Sequence, residues 1–129
     1  MQDFRNLAVW QKAHALTLQT YRATECFPRA ELFGLTIQLR RSSASIAANL
    51  AEGCVRTRLE FARFVQIALG SASETEYHFL LARDLRFLAE REYVSLSEQV
   101  AEVKRMLSSL QQRIQRDSNN ASRSRSKNS

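Results

Sequence analysis

One proline and three glycines punctuate the 129 residues of this chain. Strands joined by tight turns consume both residue types, so this scarcity points away from an all-β fold and toward long helices. Apolar residues make up 44% of the chain, enough for a helical domain with a real core.

Pro28 ends a first helix, expected over 6–25, and fits the first turn of a second, expected over 29–52. Gly53 follows as a plausible C-cap. Thr57-x-x-Glu60 is a capping-box pattern that opens a third helix, expected from Arg58 to Leu88. Ser95-x-x-Glu98 is another, opening a fourth helix to about Arg116. Four helices with short joints predict an all-α, antiparallel up-and-down four-helix bundle over 1–116. Residues 117–129, DSNNASRSRSKNS, have no large apolar side chain and three basic groups against one acid, so a disordered basic tail is expected there.

The fourth helix is one-sided: Leu96, Val100, Val103, Leu107, Leu110 and Ile114 form a bundle seam. The second has apolar residues on two sides. Leu32, Leu35, Leu39, Ser43, Ile46 and Leu50 share a core stripe, while Ile37, Ala44, Ala48 and Ala51 lie nearly opposite. Between them runs a polar stripe, Gln38, Arg41, Ser45, Asn49 and Glu52. The third helix adds a second apolar set that includes Leu69 and Leu80, and Gly70 sits mid-helix, where a close backbone approach is the usual reason for a glycine. More apolar surface than four helices can cover implies a homo-oligomer, with Ile37, Ala44, Ala48, Ala51, Leu69, Gly70 and Leu80 as candidate interface.

The two histidines, His14 and His78, have no third convergent ligand, and Cys26 and Cys54 have no activating neighbour in the sequence. Glu74 lies one turn from His78, within hydrogen-bond reach. No phosphate-cradling glycine loop or nucleophile motif is present, so no enzyme activity, cofactor, metal or small-molecule substrate is expected. The polar stripe of helix 2 reads as a network that sets helix register. Without an apolar run of spanning length or an N-terminal apolar segment, a cytoplasmic protein with no membrane association is expected.

Lys and Arg total 19 against 13 acids, a net charge of +6, and sixteen of the 19 are arginines. Such a balance favours an anionic partner. Arg5, Lys12, Arg22, Arg40, Arg56 and Arg58 are the candidate contacts to RNA or DNA backbone. The plainer alternative is a solvated face with a few ion pairs, Arg41–Glu52 among them. No base-reading scaffold accompanies these residues, so binding without sequence preference is expected. The competing reading is a structural or protein-binding adaptor whose charge is incidental.

Several segments carry a resemblance. These are Phe4-Arg5-Asn6-Leu7-Ala8-Val9-Trp10-Gln11-Lys12-Ala13, Phe27-Pro28, Glu31-Leu32-Phe33-Gly34-Leu35 and Gln38-Leu39-Arg40-Arg41. Ser45-Ile46-Ala47-Ala48-Asn49-Leu50-Ala51-Glu52-Gly53 and Phe64-Val65-Gln66-Ile67-Ala68-Leu69-Gly70-Ser71-Ala72, followed by Glu74, complete the set. In order and spacing, over roughly residues 4–110, the chain resembles the bacterial four-helix-bundle family encoded in intervening sequences of 23S rRNA genes. The resemblance implies a left-handed up-and-down bundle that assembles as a homopentameric barrel. It also implies kinship with the basic, nucleic-acid-binding accessory variability protein of diversity-generating retroelements. Matching family positions are Gln38, Arg41, Ser45, Asn49, Glu52, Gly53, Gly70, Ser71 and Glu74, none of them catalytic.

Overall fold

A computed structural model describes residues 2–128, with side chains through 124. Four α-helices account for most of it: α1 (Ala8–Thr24), α2 (Ile37–Gly53), α3 (Arg58–Asp84) and α4 (Glu90–Asn128). Each helix packs against its chain neighbours, and α1 also packs against α4, closing the antiparallel up-and-down bundle. Contacts run in opposite directions along paired helices: residue 41 meets 74 and 45 meets 71, while 62 meets 111 and 76 meets 104.

The core is the set of apolar stripes meeting along one axis. Leu16, Leu39, Ile46, Leu50, Val65, Phe79, Val100, Leu107 and Ile114 are all fully enclosed. The α1 stripe includes three buried threonines. Thr17, Thr20 and Thr24 each donate a hydroxyl hydrogen bond to the carbonyl four residues back, at 3.1, 2.8 and 2.8 Å, so no polar atom is stranded.

The helix boundaries depart from the expected ones where conformation overrides pattern. The first helix begins late: Asp3 caps a single 3-10 turn at Phe4–Asn6, and α1 starts only after an extended Leu7. The second does not run from Arg29. A 3-10 turn (Arg29–Glu31) and a π-turn (Leu32–Thr36) precede α2, with a break at Gly34, whose backbone is not helical (φ −111°, ψ −113°). That break shifts the register, so Leu32, expected in the core, is 45% exposed.

Gly53 is the last residue of α2 rather than a left-handed cap. A Cβ there would meet Phe61 Cδ1 at 2.7 Å and Phe64 Cβ at 2.9 Å, so the glycine lets the start of α3 close onto the end of α2. The capping box is as expected: Glu60 N–H donates to Thr57 Oγ1, and the Glu60 carboxylate accepts from Thr57 N–H.

α3 stops at Asp84, short of Leu88. Arg86 takes the left-handed conformation (φ 64°), and the backbone closes as a Schellman motif: Phe87 N–H to Ala82 C=O at 2.8 Å and Arg86 N–H to Arg83 C=O at 2.9 Å. α4 then starts at Glu90, with Glu90 and Glu92 at its electropositive end, and Ser95 falls inside the helix instead of opening it. The tail expected to be disordered instead continues α4 to Asn128. Past Ile114 no side chain through 124 is buried, so the segment extends the helix backbone without joining the core.

Candidate functional site: the α2–α3 polar seam and the arginine surface

The polar stripe of α2 faces α3 and meets a matching stripe there. Arg41 Nη2 donates to Gln38 Oε1 and to Glu74 Oε1, both at 2.8 Å. Glu52, the partner of Arg41 in the plainer alternative, accepts instead from Arg56 at 3.1 Å. Ser71 Oγ donates to Ser45 Oγ at 3.0 Å. Deeper in the seam, Thr75 donates to the Ser71 carbonyl at 2.8 Å and its hydroxyl meets that of Ser42 at 2.9 Å, with both side chains enclosed. Asn49 reaches no neighbouring helix; its amide donates to the Ser45 carbonyl and hydroxyl at 2.8 and 3.0 Å.

Ser42 and Thr75 escaped the sequence reading because each reads as an ordinary small residue of an apolar helix. The α3 run Ser71, Thr75 at helical spacing was the signal that marked a partner stripe.

His78 sits at the edge of this seam. Glu74 is held by Arg41, so the expected Glu74–His78 hydrogen bond does not form, and His78 Nδ1 is buried with no partner. Burial holds the imidazole below its ordinary pKa; the Glu74 carboxylate opposes that shift and Arg41 adds to it. His14 is exposed and stacks on Trp10 at a ring separation of 5.0 Å. The buried Cys54 thiol is pushed up, first by burial and then by the charge of Asp3, away from the thiolate a nucleophile needs. Among the described residues no group of three or more His, Cys, Asp or Glu is placed to hold a metal ion.

Five of the six candidate basic residues have partners within the chain. Arg5 pairs with Asp3 at 3.4 Å, and Lys12 with Glu102 at 3.5 Å. Arg40 donates to Thr24 Oγ1 at 2.9 Å and lies over the Tyr21 ring. Arg56 pairs with Glu52 and lies over Phe64, and Arg58 pairs with Asp117 at 2.6 Å. Arg22 is exposed and in no ion pair among the described residues. These pairs are solvent-exposed, so each is weak and open to exchange.

The candidate interface lies on the outside of the bundle. Ile37 is 46% exposed, Ala48 and Gly70 are exposed, and Ala44, Ala51, Leu69 and Leu80 are half-buried. A Cβ on Gly70 would meet nothing within 4 Å, so the close approach expected there is not made within the chain. No helix among the described residues is long and apolar enough to cross a membrane.

A family model for the 23S rRNA-intervening sequence protein matches residues 5–109. A crystal structure of a protein of unknown function from the S23 ribosomal protein family of Bacteroides thetaiotaomicron superposes with a TM-score of 0.74. It is 25% identical, and the alignment covers 81% of this chain and 95% of that one. No functionally curated protein matches.

Proposed function

The chain belongs to the 23S rRNA-intervening sequence protein family, and from that membership we propose that it is a non-enzymatic homo-oligomer that binds nucleic acid through phosphate contacts. A pentamer is the oligomer that the family resemblance implies. The observation that carries the reading is the outer face of α2 and α3. A second apolar side, with Ile37, Ala48 and Gly70 in solvent, suits burial against another copy. Repetition of one basic chain around a ring makes weak single contacts multivalent.

The polar seam has the role of fixing α2 against α3, since its hydroxyls and charges are spent on one another. No nucleophile paired with a base stands out in it. Binding should be indifferent to sequence and steep in salt, because each neutralised phosphate releases counterions.

The adaptor reading keeps one specific support: Arg5, Lys12, Arg56 and Arg58 are all occupied by acids of the same chain. Light scattering and a salt titration against a labelled single-stranded RNA separate the two. An oligomer whose affinity falls with salt at a log–log slope of about −0.7 per phosphate contact is expected. A monomer, or weak binding equal at every salt concentration, overturns the proposal.

A further inference from the structure

The charge of this chain is not spread over the bundle. Residues 1–102 contain twelve basic and twelve acidic groups. Residues 103–129 contain seven basic groups (Lys104, Arg105, Arg113, Arg116, Arg123, Arg125 and Lys127) and one acid, Asp117. The whole net charge of +6 therefore resides in this last stretch, most of it on the C-terminal half of α4.

Helical geometry gathers part of that charge into a row. The α4 seam residues Val103, Leu107, Leu110 and Ile114 face the core. At about 100° per residue, Arg105, Arg116 and Arg123 fall on the opposite side, with Arg113 beside them. All four are exposed, and none is in an ion pair among the described residues. The one acid of the stretch is turned aside, held by Arg58 at 2.6 Å. From Arg105 to Arg123 the row extends about 27 Å at a rise of about 1.5 Å per residue. Exposed Gln112, Gln115 and Asn119 interleave with it. Residues 110–128 of α4 lie beyond the family match, so much of this row stands outside the part shared with the family.

We infer that this arginine row on the outer side of α4 is the surface that grips the nucleic-acid backbone, in place of the mostly partnered basic residues of α1, α2 and the α2–α3 joint. The inference rests on the nucleic-acid reading above and names its site. Guanidinium forks suit phosphate oxygens, and the interleaved amides supply further hydrogen bonds to phosphate and sugar. A straight, rigid row fits a repeating polyanion better than a single phosphate. An anionic membrane is the weaker match, because no large apolar side chain lies exposed along this half of α4 to enter a lipid surface.

The test uses the full chain and a labelled single-stranded RNA, with affinity measured by fluorescence anisotropy at several salt concentrations. In Arg113→Gln/Arg116→Gln/Arg123→Gln the log–log slope should flatten by about 0.7 for each phosphate no longer neutralised, roughly two units in all. The same three changes to lysine should restore most of the slope, since charge is kept. Arg56→Gln/Arg58→Gln should leave it close to wild type. Circular dichroism should show all the variants folded, because the row lies opposite the core.

An unchanged slope in the glutamine variant of the row, with salt-dependent binding intact in the wild type, overturns this inference alone. So does an equal flattening in the joint variant. Absence of salt-dependent RNA binding in the wild type overturns both this inference and the function it rests on. If the same glutamine variant, also assayed against phosphatidylserine vesicles, keeps the wild-type RNA slope but loses vesicle binding, the inference is overturned in favour of a membrane surface.

Discussion

Arg86 is the residue at which local conformation and side-chain chemistry disagree most. It occupies a left-handed position that glycine fills at no steric cost. An L-residue there costs about 1–2 kcal/mol, partly offset by the greater freedom of glycine in the unfolded chain. Arg86→Gly should therefore stabilise the bundle by about 0.5–1 kcal/mol in urea denaturation; a loss of stability would mean that the arginine side chain holds the turn. His78 carries a second residue-scale consequence. Its folded pKa lies below the unfolded value, so the unfolded state binds the extra proton. Stability should be unaffected by His78 above about pH 6.5 and fall as the pH drops through that value. His78→Gln should flatten the fall of the melting temperature between neutral and mildly acidic pH. A curve parallel to wild type would show that Nδ1 finds a partner in solution.

Between elements, the α2–α3 seam distributes its energy unevenly. Thr75 and Ser42 are enclosed and bonded across the helix pair, so Thr75→Val strands a buried hydroxyl at a cost of about 1–3 kcal/mol. Asn49 bonds only within its own helix, so Asn49→Ala should cost about 1 kcal/mol or less. Chemical denaturation of the two variants checks the ordering, and equal losses would contradict it. The end of α4 is a different kind of element: helical, but without a buried side chain past Ile114 through 124. Its one ion pair among the described residues, Arg58–Asp117, is half exposed and worth about 0–1 kcal/mol. Deleting residues 117–129 should shift the melting temperature by no more than a few degrees, and a larger drop would mean that the extension packs on the bundle.

On the scale of the whole molecule, the proposed assembly rests on the outer face of α2. Ala48 is exposed there among small side chains. Ala48→Arg would place a long charged group in a helix contact between copies, and the oligomer should shift toward monomer in light scattering without loss of helical content. If the substitution leaves the mass unchanged, the contact lies elsewhere. The charge distribution adds an asymmetry: a near-neutral body carries one basic strip on α4, so salt should act on ligand binding far more than on folding.

Scarce proline and glycine determined the all-α class, and breakers and capping patterns the helix count; periodicity determined the α4 seam and the second apolar side of α2, because a 3.6-residue repeat states which side chains share a face. The α3 capping box was equally legible, since it is a local contact between residues three apart. Tertiary structure decided what depended on backbone conformation or on a neighbour. Without a glycine at position 86, nothing in the pattern marked the left-handed turn that ends α3 and moves the start of α4 to Glu90. Gly34 broke a register that looked continuous, and Gly53 proved to answer to Phe61 and Phe64 of the next helix. The partner of each arginine was likewise undetermined by pattern. Glu52 shares a stripe with Arg41 but lies three turns away along the helix, so packing of α3 supplies Glu74 to Arg41 at 2.8 Å, and Glu52 pairs with Arg56 one turn on. Ion pairs follow distance in space, and spacing along one helix supplies only part of that distance.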